Sequence, residues 1–223
     1  MQVVEAGHAE GKRAGTASAI AGVFSLASAR ALPTLQSVTA EQYLSGRILL
    51  AMPGMFDPQF ERSVNVMCVH DENGALGIGI GHVRQGVRFH DVLDELGVDP
   101  GVSPNREVMV GGPVEPGRGF ILHSTDWGGT DTIAVEPLCA LSASMDVLRA
   151  IAEGRGPTHW IMALGYAGWG PGQLESEMRH HGWYAAEGHR EVLFQTPPEG
   201  RWSATWRAEG IDPALLSNET GRA

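Results

Sequence analysis

The sequence predicts an α+β fold, in which strands are joined by hairpins and only a few helices occur. Short runs of apolar and β-branched residues recur between turn residues, which is typical of strands. Only three segments show firm helical spacing of apolar residues, and they do not alternate with the strands as a βαβ repeat requires. With 223 residues, 43% of them hydrophobic, the chain is long enough to bury a sizeable core.

The composition excludes several classes of protein. The chain carries 16 basic and 26 acidic residues, a formal net charge of −10, which argues against non-specific nucleic-acid binding through phosphate contacts. No run of about 18 consecutive apolar residues is present, so no membrane span is predicted. Cys68 and Cys139 form neither a dense disulfide framework nor a zinc pattern, and we interpret them as free thiols in a reducing cytosol.

Residues 1–38 differ from the rest because they are rich in Ala, Gly and Ser and lack a periodic pattern. We therefore predict a disordered extension there, followed by one domain over residues 39–223. Residues 17–29 form a mildly apolar stretch that ends in Ala-Ser-Ala, which makes a signal peptide an alternative. Acidic residues before that stretch, and the Ser and Ala within it, favour a disordered tail or a mistaken upstream start.

In the first half of the domain, alternation and turn residues predict several strands and one helix. Asn73-Gly74 is typical of a hairpin turn, because Asn-Gly readily supplies positive φ. The glycines at 77, 79 and 81 would let another backbone or a ligand approach closely, or would mark a bulge. The predicted elements are strands Arg47–Ala51, Val64–Val69, Ala75–Ile80, Val108–Val110 and Gly119–His123, and helix Phe89–Leu96, which ends at Gly97.

The second half contains the more buried predicted strand and the remaining helices. Thr158–Leu164 is expected to be the most buried strand, and Ile133–Val135 is expected to pair with Gly119–His123. Pro171 suits the first position of a helix that runs to about His181. The remaining predictions are a helix from Ser142 or Ser144 to about Glu153 that stops at Gly154, a strand at Glu191–Gln195 and a short helix at Asp212–Leu216.

The segment Gly165–Glu175 is the part of the chain that most suggests ligand binding. It is predicted to join a strand to a helix, whose N-terminal NH groups can receive an anion. However, Glu175 and Glu177 already place negative charge in the first turns, and the spacing fits neither the Walker pattern nor GxGxxG. A tight connection with packed Tyr166 and Trp169 is therefore favoured over a ligand site.

Cys68 and His70 lie two positions apart on a predicted strand, so their side chains are expected to share a face. A thiol beside an imidazole can form a reactive thiolate, as in nucleophilic or redox sites. The apolar neighbours Val66, Met67 and Val69 favour the other interpretation, a buried and unreactive cysteine.

The remaining constellations are weak. His70, His82 and His123 are the candidates for a metal cluster, but no pair has HxxxH spacing and no carboxylate motif accompanies them. Asp57 lies between two prolines and is interpreted as a turn cap. There is no GxSxG elbow and no helix-turn-helix with a basic recognition helix. We therefore predict neither a metal nor a cofactor.

Several motifs occur in an order that coincidence does not explain. The most specific is Leu164-Gly165-Tyr166-Ala167-Gly168-Trp169 with Gly170 and Gly172-Gln173-Leu174-Glu175. The others, in chain order, are Leu49-Leu50-Ala51-Met52-Pro53-Gly54-Met55, Asp57, Phe60, Ser63, Cys68, His70, Gly74-Ala75, Gly77, Gly111-Gly112-Pro113-Val114 and Arg118-Gly119-Phe120. Over about residues 43–223 the chain therefore resembles the YqgE/AlgH family of bacterial proteins.

This resemblance implies a single compact α+β domain with a split, barrel-like, mostly antiparallel sheet and flanking helices, in a cytoplasmic bacterial protein. It implies no activity, and the label of transcriptional regulator that some members carry conflicts with the net charge of −10. The chain also departs from the family where Ile-Asn-Arg-Pro is replaced by Ile80-Gly81-His82-Val83. A binding role for that Asn and Arg therefore does not carry over.

We predict a non-enzymatic binding or regulatory protein with a protein or small-molecule partner and an indirect effect on transcription. The alternative is a thiol-based enzyme or redox sensor that uses Cys68, and direct DNA contact ranks third. Neither a membrane nor a cofactor is expected to be bound. The residues predicted to bind the partner are Cys68, His70, Tyr166, Trp169, Gln173 and Glu175.

Overall fold

The structure, a computed structural model, describes residues 43–53, 60–180 and 182–216. The predicted extension at residues 1–38 and the predicted turn at Asp57 lie outside the described residues. Within them the strands are β1 (Ile48–Ala51), β2 (Val64–Asp71), β3 (Gly74–Gly79), β4 (Val83–Arg88), β5 (Glu107–Val110), β6 (Val114–His123), β7 (Ile133–Val135), β8 (Cys139–Ser142), β9 (Trp160–Trp169) and β10 (Trp183–Ala186). The helices are α1 (Phe89–Glu95), α2 (Met145–Ala152), α3 (Gln173–Arg179), α4 (Arg190–Gln195) and α5 (Pro198–Ala208), with a 3₁₀ helix at Pro213–Leu215.

The strands form one curled sheet that splits along β9. The main strand order is β10-β1-β2-β3-β9-β6-β8-β7, with every pairing in it antiparallel. One edge of β9 pairs with β3 at Ala167–Trp169 and, farther along, with β5 in parallel at Met162–Leu164. At the far end, β7 lies against β2, so the sheet curls into a partial barrel. The predicted α+β fold with a split, barrel-like sheet and flanking helices is confirmed.

In the described part of the chain, the core consists of three clusters on different sides of this sheet. The largest fills the inside of the curl and is closed by Leu193 of α4 and Trp206 of α5. The second packs α1 and α2 against β5, β6 and β9. The third lies beneath α3 and includes Leu174, Trp169 and Trp183. Burial of these apolar surfaces is the main stabilising contribution to the fold.

Most of the predicted elements are present, and two helices end at the glycines that were predicted to stop them. Gly97 and Gly154 follow α1 and α2 with φ of +67° and +72°, the left-handed conformation that glycine adopts without strain. Ser144 occupies the N-cap position of α2, although its hydroxyl makes no capping hydrogen bond. The predicted helix at the C-terminal end is the 3₁₀ helix, capped by Asp212, whose carboxylate accepts from the Ala214 amide at 3.0 Å.

Three predictions about elements are wrong. The segment Glu191–Gln195 belongs to α4, because a short apolar run fits a strand or a helix equally well and Leu193 packs into the interior from a helix. Ile133–Val135 pairs with β8, which lies between it and β6. Pro171 precedes α3 instead of opening it, because β9 continues to Trp169 and Gly172, at φ +69°, takes the N-cap position.

Among the described residues, no helix is long and apolar enough to cross a membrane.

Candidate functional site

The residues predicted to bind a partner lie on two faces of the sheet, so they do not form one site. His70, Gln173, Glu175 and Trp169 gather around α3. Cys68 and Tyr166 pack instead into the interior cluster, where the Tyr166 ring lies edge-on to Phe120 with centroids 5.9 Å apart.

A β-bulge in β2 separates Cys68 from His70. Cys68 lies in the interior cluster with Val64 and Val66, as regular alternation along the strand requires. The register between β2 and β3 shifts between Met67 and Val69, which interrupts the alternation for the residues that follow Cys68. His70 is opposite Ala75, which packs in the cluster beneath α3. The prediction that the thiol and the imidazole share a face is wrong.

The environment of Cys68 is that of an unreactive thiol. Its side chain is 3% exposed, and burial, with a smaller contribution from Cys139, raises the pKa of the thiol well above its usual value. Burial likewise raises the pKa of Cys139 to about 12. Because reactive thiols are accessible and have low pKa values, the structure gives no support to a Cys68 enzyme or redox sensor.

His70 is held by hydrogen bonds to two other parts of the chain. Its Nδ1 accepts from the Leu44 amide at 3.0 Å, so its Nε2 donates to Oε1 of Glu175, also at 3.0 Å. The Tyr43 ring lies edge-on to the imidazole with centroids 5.1 Å apart. These contacts tie α3 to β2 and use both ring nitrogens within the protein.

The Glu177 carboxylate accepts hydrogen bonds from two residues predicted to bind a partner, Trp169 and Gln173, and from Trp183. Its Oε2 accepts from the indole Nε1 of Trp169 at 3.0 Å and of Trp183 at 2.8 Å. Its Oε1 accepts from Nε2 of Gln173 at 2.8 Å, while Oε1 of Gln173 accepts from the Gly170 amide at 3.0 Å. This arrangement, which we call the Glu177 clamp, agrees with the interpretation of the segment as a packed connection. Partner binding by Trp169 and Gln173 stays a prediction.

The histidines considered for a metal cluster lie apart. His123 is buried, and its ring bonds the Ser142 hydroxyl at 3.0 Å and the Ser124 carbonyl at 2.8 Å. His82 is exposed and His70 is bonded to Glu175. Across residues 43–53, 60–180 and 182–216, no group of three or more His, Cys, Asp and Glu side chains is placed to hold a metal ion.

A cleft of about 310 Å³ opens where β3 leaves β9 and β5 takes its place, and we call it the split-sheet cleft. Its walls combine glycine main chain, apolar side chains and a few polar groups. The lining residues are Phe60, Ser63, Val64, Asn65, Gly79, Gly81, His82, Val110, Gly111, Gly112, Pro113 and Ala167. Its volume is at the lower end of the range of small-molecule sites, which is about 300–1,000 Å³.

Glycine is required at two positions of the cleft, Gly79 and Gly111, because a neighbouring backbone lies too close to leave room for a Cβ atom. A Cβ on Gly79 would lie 2.6 Å from the Val110 carbonyl oxygen, and a Cβ on Gly111 would lie 2.0 Å from that of Gly165. The Gly79 amide donates to the Gly111 carbonyl at 2.7 Å across this crossing. The prediction that a glycine of β3 lets another backbone approach is confirmed at Gly79.

Asn65 is the polar side chain that distinguishes the cleft from a packing gap. It is 4% exposed, and its Nδ2 has no hydrogen-bond partner among the described residues. A buried donor left unpaired costs about 1–3 kcal/mol, so native structures rarely keep one without a reason. The other buried side-chain atoms without a partner in the described part of the chain belong to Glu95, Ser144 and Trp206, none of which lines the cleft.

Sequence reasoning did not select Asn65 or Phe60 as binding residues. The available signal for Asn65 was its polar side chain inside the apolar run of β2. Phe60 and Ser63 were noted only as part of the family resemblance. The ring of Phe60 lies edge-on to Trp183 with centroids 5.7 Å apart, so the Glu177 clamp supports one wall of the cleft.

Comparison with known sequences places the chain among uncharacterised relatives. The family model described as AlgH-like matches residues 48–214. A UPF0301 protein of Novosphingobium aromaticivorans is 62% identical over 182 residues, which cover 82% of this chain and 98% of that protein. A UPF0301 protein of Rhizorhabdus wittichii is 54% identical over 180 residues, 81% of this chain and 97% of that one.

Two solved structures share the fold. The solution structure of the AlgH protein from Pseudomonas aeruginosa is 36% identical, covers 84% of this chain and all of its own, and superposes with a TM-score of 0.66. The crystal structure of a protein from Corynebacterium diphtheriae is 22% identical, covers 80% of this chain and 92% of its own, and has a TM-score of 0.63. The second likeness shows the fold alone.

Proposed function

This chain belongs to the AlgH-like family, and we propose that it is a non-enzymatic binding protein whose ligand occupies the split-sheet cleft. The unpartnered Nδ2 of the buried Asn65 carries this proposal. A ligand that accepts a hydrogen bond there would remove the energetic cost of the unpaired donor. The described lining residues include neither a carboxylate nor a thiol, and no hydrogen bond joins the two that could serve as nucleophile and base, Ser63 and His82, which favours binding over acid–base or nucleophilic chemistry.

We further propose that any regulatory effect on transcription is indirect and is exerted in the cytoplasm through a protein or small-molecule partner. The net charge of −10 repels DNA phosphates, which specific and non-specific readers both contact with Lys and Arg. A ligand-dependent change in the affinity for a partner protein needs no contact with DNA.

A small-molecule library screened by ¹⁵N–¹H NMR tests the proposal. Ligands of the cleft are expected to shift the amide signals of Gly79, Gly81 and Gly111, which line it. Val110→Trp places a large ring at the lining residue that is 38% exposed, and it should abolish these shifts. Val102→Trp is the matched control, because Val102 is 75% exposed and lies outside the cleft.

A library without any compound that shifts these amides would overturn binding in the cleft, as would shifts that survive in Val110→Trp. A gel shift at low salt tests the second part, since low salt strengthens every electrostatic contact with DNA. Retention of random DNA under those conditions would overturn the indirect route.

A further inference from the structure

The charge of the cleft lining defines which ligands it can hold. Of the described residues that line it, only His82 can carry a charge, and its side chain is exposed. Among the described lining residues there is no Lys, Arg, Asp or Glu. A carboxylate or phosphate entering the cleft would lose its hydration without meeting a Lys or Arg among the described lining residues, and it would do so in a chain of net charge −10. A cationic ligand would likewise find no carboxylate among the described lining residues.

The hydrogen-bonding chemistry of Asn65 further limits the class of ligand that the cleft can bind. Nδ2 is a neutral donor, and a carbonyl oxygen of a neutral amide is the acceptor that matches it without bringing a charge. The nitrogen is shielded from water and has no partner among the described residues. Its terminal torsion is soft, so the amide plane can turn toward a ligand in the cleft at little cost.

The shape of the cleft favours a flat ligand. The main chain of Gly79, Gly111 and Gly112 forms a wall without side chains, while Phe60 and Pro113 supply apolar surface. Phe60 is held in place by its edge-on contact with Trp183. A volume of about 310 Å³ accommodates a single ring with one substituent better than an extended cofactor.

From these observations we infer that the split-sheet cleft binds a small, neutral, planar amide whose carbonyl oxygen accepts a hydrogen bond from Nδ2 of Asn65. This inference rests on the proposed function, because it names the ligand class of the same site. It goes further in assigning the recognising atom and in excluding anions of the same shape.

The test compares benzamide with benzoate, which share size and planarity and differ in charge. Benzamide titrated into the ¹⁵N-labelled full chain should shift the amides of Gly79 and Gly111 and bind at least about tenfold more tightly than benzoate, because the carboxylate must lose its hydration against a described lining without Lys or Arg. Asn65→Leu removes the donor at similar volume and should weaken benzamide by about tenfold. Asn73→Leu is the matched control, because Asn73 is exposed in the hairpin turn and should leave binding unchanged.

Each result decides the inference. Equal or tighter binding of benzoate overturns the neutral class, and unchanged benzamide binding in Asn65→Leu overturns the role of the donor. If Asn65→Leu fails to give a folded spectrum, Asn65→Ala provides the same comparison with a shorter side chain. Library compounds that shift the cleft amides while benzamide does not would overturn this inference and leave the proposed function standing.

Discussion

The substitution Glu177→Ala tests whether the Glu177 clamp holds α3 and β10 together. The carboxylate accepts from the indoles of Trp169 and Trp183, whose side chains are buried at 7% and 6% exposure. Removing it leaves both indole NH groups without the acceptor that the fold provides. The exposed Gln173 loses its hydrogen bond at the same time.

The size of the effect follows from these contacts. An unpaired buried donor costs about 1–3 kcal/mol. Because Glu177 is half-buried, water has partial access to the site, so we expect each indole NH to cost an amount near the lower end of this range. The two indoles together then cost about 2–3 kcal/mol. A domain of this size loses about 2–4 °C of Tm per kcal/mol, so Glu177→Ala should lower Tm by about 5–10 °C. Glu177→Gln keeps one acceptor oxygen for the indoles and should lose about half as much or less.

Urea unfolding followed by far-UV circular dichroism measures the free energy of unfolding, and tryptophan emission reports the local change. The emission of Glu177→Ala should shift to the red before global unfolding, because water reaches the two indoles. Glu72→Ala is the control, since Glu72 is an exposed residue of the hairpin turn. A loss in Glu177→Ala no larger than in this control would refute the clamp as a stabilising contact.

Two further predictions concern buried groups. Burial lowers the pKa of His123 below 6.5, so the unfolded chain binds the proton more readily than the folded protein. The free energy of unfolding should therefore fall as the pH drops below about 6.5. A His123→Gln variant should show a weaker dependence of this free energy on pH between about pH 7 and pH 5, and equal dependence in both proteins would contradict this cause. Thiol titration with a chromogenic disulfide should detect neither Cys68 nor Cys139 in the native protein and both after denaturation, whereas rapid native labelling would contradict their burial.

Local patterns predicted the fold class and most elements because hydrophobic periodicity and turn residues act over short distances. The Asn73-Gly74 turn joins β2 to β3, and the burial of β9 follows from its apolar run. The split, barrel-like shape of the sheet came from the family resemblance, and the strand order was not predicted, since nothing in a strand's own sequence states its neighbours. α5 was missed because its exposed face is polar and few apolar residues mark the helical period.

The error at Cys68 and His70 comes from the sensitivity of a strand to a single irregular residue. A bulge at Cys68 reverses which face the following residues occupy, and alternation alone cannot reveal it. Likewise, Glu177 was read as an acidic residue near a helix start, whereas its decisive partners include Trp183 from the next strand. Contacts of that kind become visible only when the chain is folded.

The glycines of the split-sheet cleft show how steric and functional evidence must be separated. Gly79 and Gly111 would be required even if no ligand existed, because any Cβ there would collide with a neighbouring carbonyl. Their presence therefore indicates the crossing of backbones and gives no evidence of binding. Asn65 is different, since no contact within the described fold requires its Nδ2 and burial makes the unpaired donor unfavourable. The case for a ligand depends on the side-chain amide of Asn65. If Asn65→Leu raises the free energy of unfolding and weakens the binding of benzamide, the amide serves the ligand and not the fold.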